Sequence, residues 1–470
     1  MPESILQKRW PWLTAAALVV LVYLASLSVR IGGGDPRATG TPEDIERLAE
    51  RKDVNVLFIL IDTLRADRLG SYGYERDTSP ALDLLAASGV RFAHQLAQSS
   101  WTKCSMASLW TGLYPARNGV TRFDQVIPSE ASLPAEILRE AGFRTVGVYR
   151  NGWVAPNFGF GQGFEIYDRP RGRPLPPSVR RENPTLSEEG TDDDAVDAAI
   201  EFLRVNGRER WLLYLHLMDV HEYLYDQDSA VFGTSYSDIY DNSILHLNLI
   251  LDRLLATMAE SGQLERTVIV VSSDHGEAFG ERGFEGHARE VYKETTEVPW
   301  ILAFPFRLEP GLVIDARTSN VDLWPTLLDL LDLPAMPNTD GRSRRPEILA
   351  AARGEALPQD ASPAIAHLDR VWGRPVQVSP PIVAVAQDGL RYVTMQEPRA
   401  RAAREELFDA KSDPAELHDV ARERTEETER MRAVAQQYLE SQPVWGEPSP
   451  TLELDEIQLN QLRALGYALP

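Results

Sequence analysis

Cysteine occurs once in this chain of 470 residues, at Cys104. A single thiol excludes an internal disulfide framework and any zinc site built on paired cysteines. Basic residues are short as well: 48 Lys+Arg stand against 70 Asp+Glu, a formal net charge of −22. That deficit excludes a nucleic-acid backbone as partner, because binding phosphates along a duplex needs a basic face. No internal repeat recurs along the chain. What is present is ordinary for a folded protein, 43% apolar and 25% charged residues, which excludes wholesale disorder. The length allows two or three domains, or one large α/β domain with a smaller partner.

One long apolar run stands out, from Trp10 to Val29, with Lys8 and Arg9 before it and Arg30 after it. About 20 apolar residues is the length that spans a bilayer as a helix, and Pro11 sits at the helix start, where proline does least harm. The flanking charges place the N-terminus inside and the rest of the chain outside. The run is long for a signal peptide, so it reads as an uncleaved anchor. The alternative is cleavage near Ala25-Ser26-Leu27-Ser28. Both readings carry the globular part out of the cytoplasm.

After a Gly32-Gly33-Gly34 tether, apolar runs at Val54–Ile61, Thr145–Tyr149, Trp211–His216 and Thr267–Ser273 read as buried strands. Asp241–Ser261 carries a helical apolar stripe. Strand and helix alternate, which indicates an α/β sandwich around a largely parallel sheet. Gly341–Ser362, rich in Arg, Ala, Pro and Gly, is expected to loop out. A second compact piece follows, with strands at Ile382–Ala386 and Leu390–Thr394, and then a charged amphipathic helix over Arg422–Leu439.

The polar residues fall in a telling place. Asp62, Asp219 with His221, and Asp274 with His275 all follow the carboxyl ends of expected strands. Open α/β sheets hold their ligand crevice at that edge. Acids and histidines delivered there by three strands form a metal-site pattern.

Five ordered stretches then point to a family: Val56–Asp62 with Leu64-Arg65; Thr111-Gly112-Leu113-Tyr114-Pro115; Ser273-Asp274-His275-Gly276-Glu277; Val321–Leu330; and Glu406-Leu407-Phe408-Asp409 with Ser412–Glu416. Together, over about Val54 to Val420, the chain resembles the sulfatase family of the alkaline phosphatase superfamily. The resemblance implies an alkaline-phosphatase-like α/β/α sandwich with a small C-terminal α+β subdomain. Its boundaries are an anchor over 1–31, a linker over 32–52, a catalytic domain over 53–345, a subdomain over 361–425 and a helical tail over 426–470.

The family's nucleophile sits in C-x-P-x-R or C-x-A-x-R, where the cysteine matures to formylglycine. Cys104 does not fit, because Met106 and Ser108 stand at its +2 and +4 positions. In the family pattern the nucleophile lies nine residues before the threonine of the Thr-Gly pair. Counting back from Thr111 reaches Thr102. Thr102 is therefore the expected nucleophile, and Cys104 a small packing residue. The plainer role for Thr102 is to cap a helix starting near Ser105. A threonine hydroxyl needs a metal or a base to attack. It also lacks the exit by which a hydrated formylglycine expels sulfate, which shifts the expectation toward phosphoryl esters.

The resemblance further implies Asp62, Thr102, Asp274 and His275 as metal ligands. Thr63 and His275 stand where sulfatases commonly have Asp and Asn, so the site departs from the calcium-type pattern. Carboxylate with imidazole suits Zn²⁺ or Mn²⁺ in preference to Ca²⁺, as in single-metal threonine enzymes that handle phosphodiesters or move phospho-groups onto glycans. His221 and His287 match the family's active-site histidines and are candidate general acids; with Asp219 they offer an alternative second metal site. Lys103 and Asn151 are candidate substrate contacts. The histidine of the family's E-H-G motif is replaced by Arg282. His94, His246, His367 and His418 read as core or surface residues.

The expected function is metal-dependent hydrolysis of a phosphoric mono- or diester, or a sulfuric ester, through a covalent intermediate on Thr102. Alternatives are a true sulfatase, transfer of a phospho-group to a lipid or glycan, and an inactive binding protein of the same fold. The expected partners are an anionic ester, glycan- or lipid-linked, and the membrane through the N-terminal helix, with no nucleic acid.

Overall fold

The eight-stranded central sheet follows from strands apolar on both faces. β1 (Asn55–Ile61), β5 (Trp211–Leu217) and β6 (Thr267–Ser272) are buried at every position, as strands covered on both sides must be. The computed structural model describes residues 35–170, 190–371, 379–395, 404–446 and 449–454, with isolated positions beside these stretches. The expected anchor, Trp10–Val29, lies outside the described residues. Among the described residues no helix is long and apolar enough to cross a membrane.

With β2 (Val90–Leu96), β3 (Arg144–Tyr149), β4 (Ile166–Asp168), β9 (Glu297–Ala303) and β10 (Leu312–Ser319), the strand order is β10-β2-β9-β6-β1-β5-β3-β4. Only β9 pairs antiparallel with its neighbours, so seven strands run one way. Their carboxyl ends, and the loops that follow, share one edge. Alternation along β1 builds two cores. Val56, Phe58 and Leu60 face helices Thr102–Thr111, Pro134–Glu140 and Leu323–Leu330. Leu57, Ile59 and Ile61 face helices Asp192–Asn206 and Tyr236–Glu260. This is the expected α/β/α sandwich.

A smaller antiparallel sheet holds β11 (Ala364–Leu368), β12 (Ile382–Gln387), β13 (Leu390–Met395) and β14 (Arg404–Asp409). One face, with Val383, Val385 and Tyr392, covers Met431, Ala435 and Tyr438 of the Thr425–Leu439 helix. The other, with Ala384, Ala386 and Val393, joins the main core. Residues Ala38–Pro470 accordingly form one compact unit.

Two stretches read as irregular are helical. Within the stretch read as a linker, Pro42–Arg47 is a helix whose Ile45 is buried in the main core. Gly341–Ser362 does not loop out: Arg345–Ala352 is a helix. Its arginine-rich start is neutralised, since Arg344 is buried and pairs with Asp322 at 2.6 Å and Asp360 at 2.7 Å. Those carboxylates lie up to 22 residues away in sequence, beyond the reach of a composition window.

Candidate active site

At the carboxyl edge, β1 delivers Asp62 and β6 delivers Asp274 and His275, all fully buried. The helix Thr102–Thr111 begins at Thr102 itself, with Trp101 as its N-cap, so Thr102 does not cap a helix starting near Ser105. Thr102 Oγ1 lies 3.1 Å from His275 Nε2. The same nitrogen is 3.3 Å from Asp274 Oδ2 and 3.8 Å from Asp62 Oδ1. His275 Nδ1 lies 3.0 Å from the Gly276 carbonyl and donates to it. That bond leaves Nε2 to face Thr102 Oγ1 and the two carboxylates.

These residues fit a metal ion. Asp62, Asp274 and His275 each present a donor atom within 4.8 Å of the others. Asp62 Oδ1 and Asp274 Oδ2 are buried without a hydrogen-bond partner, a costly state for two anions. Burial pushes Asp62 up, but His221, His216 and His275 outweigh it and hold the carboxyl below its usual range. Asp274 is pushed up by burial and then by Asp62. Two adjacent buried carboxylates resist joint ionisation unless a cation joins them.

The loops are held in place by hydrogen bonds. Tyr240 donates its hydroxyl to the Thr63 carbonyl (2.6 Å) and accepts from Arg65 N (2.9 Å). Ser273 Oγ accepts from Leu64 N and donates to the His275 carbonyl. Ser105 Oγ donates to the Asp274 carbonyl at 2.5 Å, tying the Thr102–Thr111 helix to the loop after β6. Thr63, Tyr223 and Ala288 adopt left-handed φ of 60°, 55° and 58°. Each lies within two residues of Asp62, His221 or His287, and strained backbone of this kind clusters at functional sites.

Asn151 joins the group: its Nδ2 donates to Asp62 Oδ2 at 2.6 Å and lies 3.4 Å from Thr102 Oγ1. Its Oδ1 accepts from Trp153 N, which fixes the amide orientation. His287 lies over His275 (ring centroids 4.6 Å) and 5.0 Å from His221. Both ring nitrogens of His221 are buried and lack a hydrogen-bond partner among the described residues. Burial lowers this imidazole to about 4.

Two expectations meet a different arrangement. Lys103 turns from the carboxylates: its Nζ donates to the Phe123 carbonyl at 2.6 Å and sits 3.6 Å from the Phe158 ring centroid. Asp219 does not join His221 and His287 in a second metal site. Arg150 holds it at 2.5 Å while also pairing with Asp192 and Glu222. Asp62, Asp274 and His275 are the one group among the described residues whose donor atoms lie close enough together to hold a metal ion.

The structure also adds two residues. His216 Nε2 lies 3.0 Å from Asp62 Oδ2, with Tyr214 OH on its other nitrogen at 2.8 Å. Its signal was a lone histidine near the end of an otherwise apolar strand. Glu277 receives His287 Nδ1 at 3.1 Å, and its signal was the last residue of Ser273–Glu277.

The loop beyond His287 is tied to the segment before Thr102: Ala288 N donates to the Ser100 carbonyl at 2.7 Å, and Ser100 Oγ donates to the Glu290 carbonyl. Burial, then Glu294, pushes the Glu290 carboxyl up to about 8 from 4.5. The unfolded chain releases this proton at a lower pH than the folded one, so stability falls as pH rises between those values. Glu290→Gln is expected to raise the unfolding free energy at pH 8 by about 2 kcal/mol or more, read as a higher urea midpoint, and to leave both nearly unchanged at pH 4. An unchanged midpoint at pH 8 contradicts this.

The sandwich and its edge cluster of carboxylates, imidazole and hydroxyl define an alkaline-phosphatase-like protein. The sulfatase family model matches residues 54–333, and the chain belongs to the sulfatase family. It is 27% identical to human arylsulfatase A over 361 residues, covering 65% of this chain and 70% of that one. It is 24% identical to the arylsulfatase of Hemicentrotus pulcherrimus, covering 65% of this chain and 63% of that one. Among solved structures, a putative sulfatase from Bacteroides thetaiotaomicron superposes with TM-score 0.65 at 17% identity, over 83% of this chain and 92% of that one. The phosphonate monoester hydrolase of Agrobacterium radiobacter gives 0.62 at 19%, over 82% and 96%. At these identities the two structures show a shared fold.

Proposed function

We propose that the chain is a metal-dependent hydrolase of a monoanionic ester, a phosphodiester in preference to a sulfate ester, with Thr102 as nucleophile. The observation that carries this is Thr102 Oγ1 at 3.1 Å from His275 Nε2, beside the unpartnered oxygens of Asp62 and Asp274. Asp62, Asp274, His275 and Thr102 would hold the ion, Zn²⁺ or Mn²⁺ by its mixed carboxylate and imidazole donors. When bound, it supplies Lewis acidity and favours the ionised hydroxyl.

The chain's own residues do the rest. Thr102 Oγ1, its proton released to solvent, attacks phosphorus as the ionised hydroxyl while Asn151 Nδ2 steadies that oxygen. The first amides of the Thr102–Thr111 helix have no intrahelical acceptor and face the ester's non-bridging oxygens. His287, oriented by Glu277, protonates the leaving oxygen as the P–O bond breaks. It then takes a proton from the water that attacks the phosphothreonine, and the Thr102 oxygen leaves phosphorus ionised, ready for the next attack. Lys103 and Arg150 are engaged elsewhere, which supports a substrate carrying one negative charge. Tyr223, Tyr236 and Phe279 pack on one another with ring centroids 5.0 and 5.2 Å apart in sequence order, and this aromatic group, two residues from His221 and from Glu277, would suit a sugar or aryl group. A glycan- or lipid-linked ester at the outer face of a membrane, with Trp10–Val29 as anchor, accords with this reading; retention in a salt-washed membrane fraction tests the anchor.

Purified protein with Zn²⁺ or Mn²⁺ should turn over bis(4-nitrophenyl) phosphate faster than 4-nitrophenyl sulfate and 4-nitrophenyl phosphate. A faster sulfate reaction overturns the preference, and no turnover of any probe overturns the hydrolase.

A further inference from the structure

Glu277 and His287 flank a short hairpin, β7 (Ala278–Phe279) and β8 (Glu285–Gly286). Strands of two residues cannot hold such a hairpin on their own. Gly280, Gly283 and Gly286 all take left-handed φ of 76° to 94°, so its unfolded state is rich in conformations. Contacts from outside must fix it. Arg65 grips its first strand, with Nη1 donating to the Glu277 carbonyl at 2.9 Å and to Glu281 Oε1 at 2.5 Å.

The second grip comes from Arg282 at the tip, where the resemblance expects histidine. Its Nε donates to Glu294 Oε1 at 2.8 Å, its Nη1 to the Glu416 carbonyl at 2.6 Å, and its Nη2 to the Ala415 carbonyl at 3.3 Å. The guanidinium lies 4.3 Å from the Tyr292 ring centroid and 5.3 Å from that of Phe408, a residue of β14. The receiving turn is itself anchored. Glu416 Oε1 meets the Nε of Arg391 at 2.6 Å, and fully buried Arg391 reaches Thr296 and Glu297.

We propose that Arg282 is a positioning residue that locks the hairpin tip onto the Ala415–Glu416 turn, so that the C-terminal sheet holds the Glu277–His287 pair in register with Thr102. The proposal rests on the hydrolase reading for its catalytic consequence. A planar fork meets one carboxylate and two carbonyls at once, which an ammonium does not match. Displacing an acid by about 1 Å costs up to about 100-fold in rate.

Hydrogen exchange read by mass spectrometry and steady-state kinetics on bis(4-nitrophenyl) phosphate test it together. In Arg282→Ala, amides of 278–287 should exchange faster while those of β6 keep their protection. The kcat should fall about 10- to 100-fold at nearly constant KM, and added guanidinium should restore part of it. Arg282→Lys should lie between the two, and it replaces the alanine variant if that one does not fold. Unchanged hairpin exchange, an unchanged kcat, or a loss that guanidinium does not relieve overturns the proposal. If the wild-type chain hydrolyses no probe, the hydrolase reading falls, and hairpin exchange alone still decides whether Arg282 is the clamp.

Discussion

Thr102→Ala is expected to reduce phosphodiester turnover by about 10⁴-fold or more, the scale seen when a covalent nucleophile is removed, whereas Cys104→Ser keeps most of it. The two residues sit two positions apart on one helix but meet different surroundings. Thr102 Oγ1 faces His275 Nε2 and the Asn151 amide. Cys104 Sγ is 4.0 Å from the His367 carbonyl, and burial pushes its thiol up to about 12. A thiol of that kind supplies almost no thiolate near neutral pH. Threonine can pass a phosphoryl group to water, but a threonine sulfate has no easy departure. Formylglycine at position 104 by mass spectrometry, or an active Thr102→Ala with an inactive Cys104→Ser, would return the chemistry to that of a cysteine-derived sulfatase.

Asp274→Asn is expected to remove metal and activity together. The substitution preserves shape but deletes one of the two carboxylate charges that meet at His275 Nε2. Loss of a residue that merely orients a ligand costs about 10–100-fold in metal affinity, so loss of the ligand itself should cost at least that. Thermal unfolding in chelator should move the other way. Without metal, Asp62 and Asp274 repel in a fully buried site, and deleting one charge relieves this. The metal-free variant should therefore melt above the metal-free wild type, which separates a lost ligand from a damaged fold. Full metal occupancy in an inactive Asp274→Asn chain would show that Asp274 acts in another way.

Much of the site is legible in the amino-acid sequence. Continuous apolar runs mark strands covered on both faces, and in the strands that run parallel the polar residue ending each run lies at the carboxyl edge of the sheet. Asp62, Asp274 and His275 can be read for that reason, and Thr102 as a candidate only through the resemblance to the sulfatase pattern, counted back from Thr111. His216 is hidden because a histidine inside a strand looks like core until the neighbour of that strand is known. It faces Leu60 across the β1–β5 pairing, which brings its Nε2 to Asp62. Glu277 is hidden behind its motif, since its partner His287 comes from the far side of a hairpin.

By itself the sequence determined the sandwich, which follows from hydrophobic period and the alternation of strands and helices, and set the candidate acids and histidines at the ends of its strands. Only the tertiary structure decided how the charges pair. It turned Lys103 onto Phe158, gave Asp219 to Arg150, folded the arginine-rich stretch after Gly341 onto Asp322, and carried Arg282 to Glu416. The physical reason is that a buried charge must find a partner wherever the chain brings one. Those partners lie 22 to 134 residues away for Arg344 and Arg282, a separation set by strand order and packing and not by any local pattern.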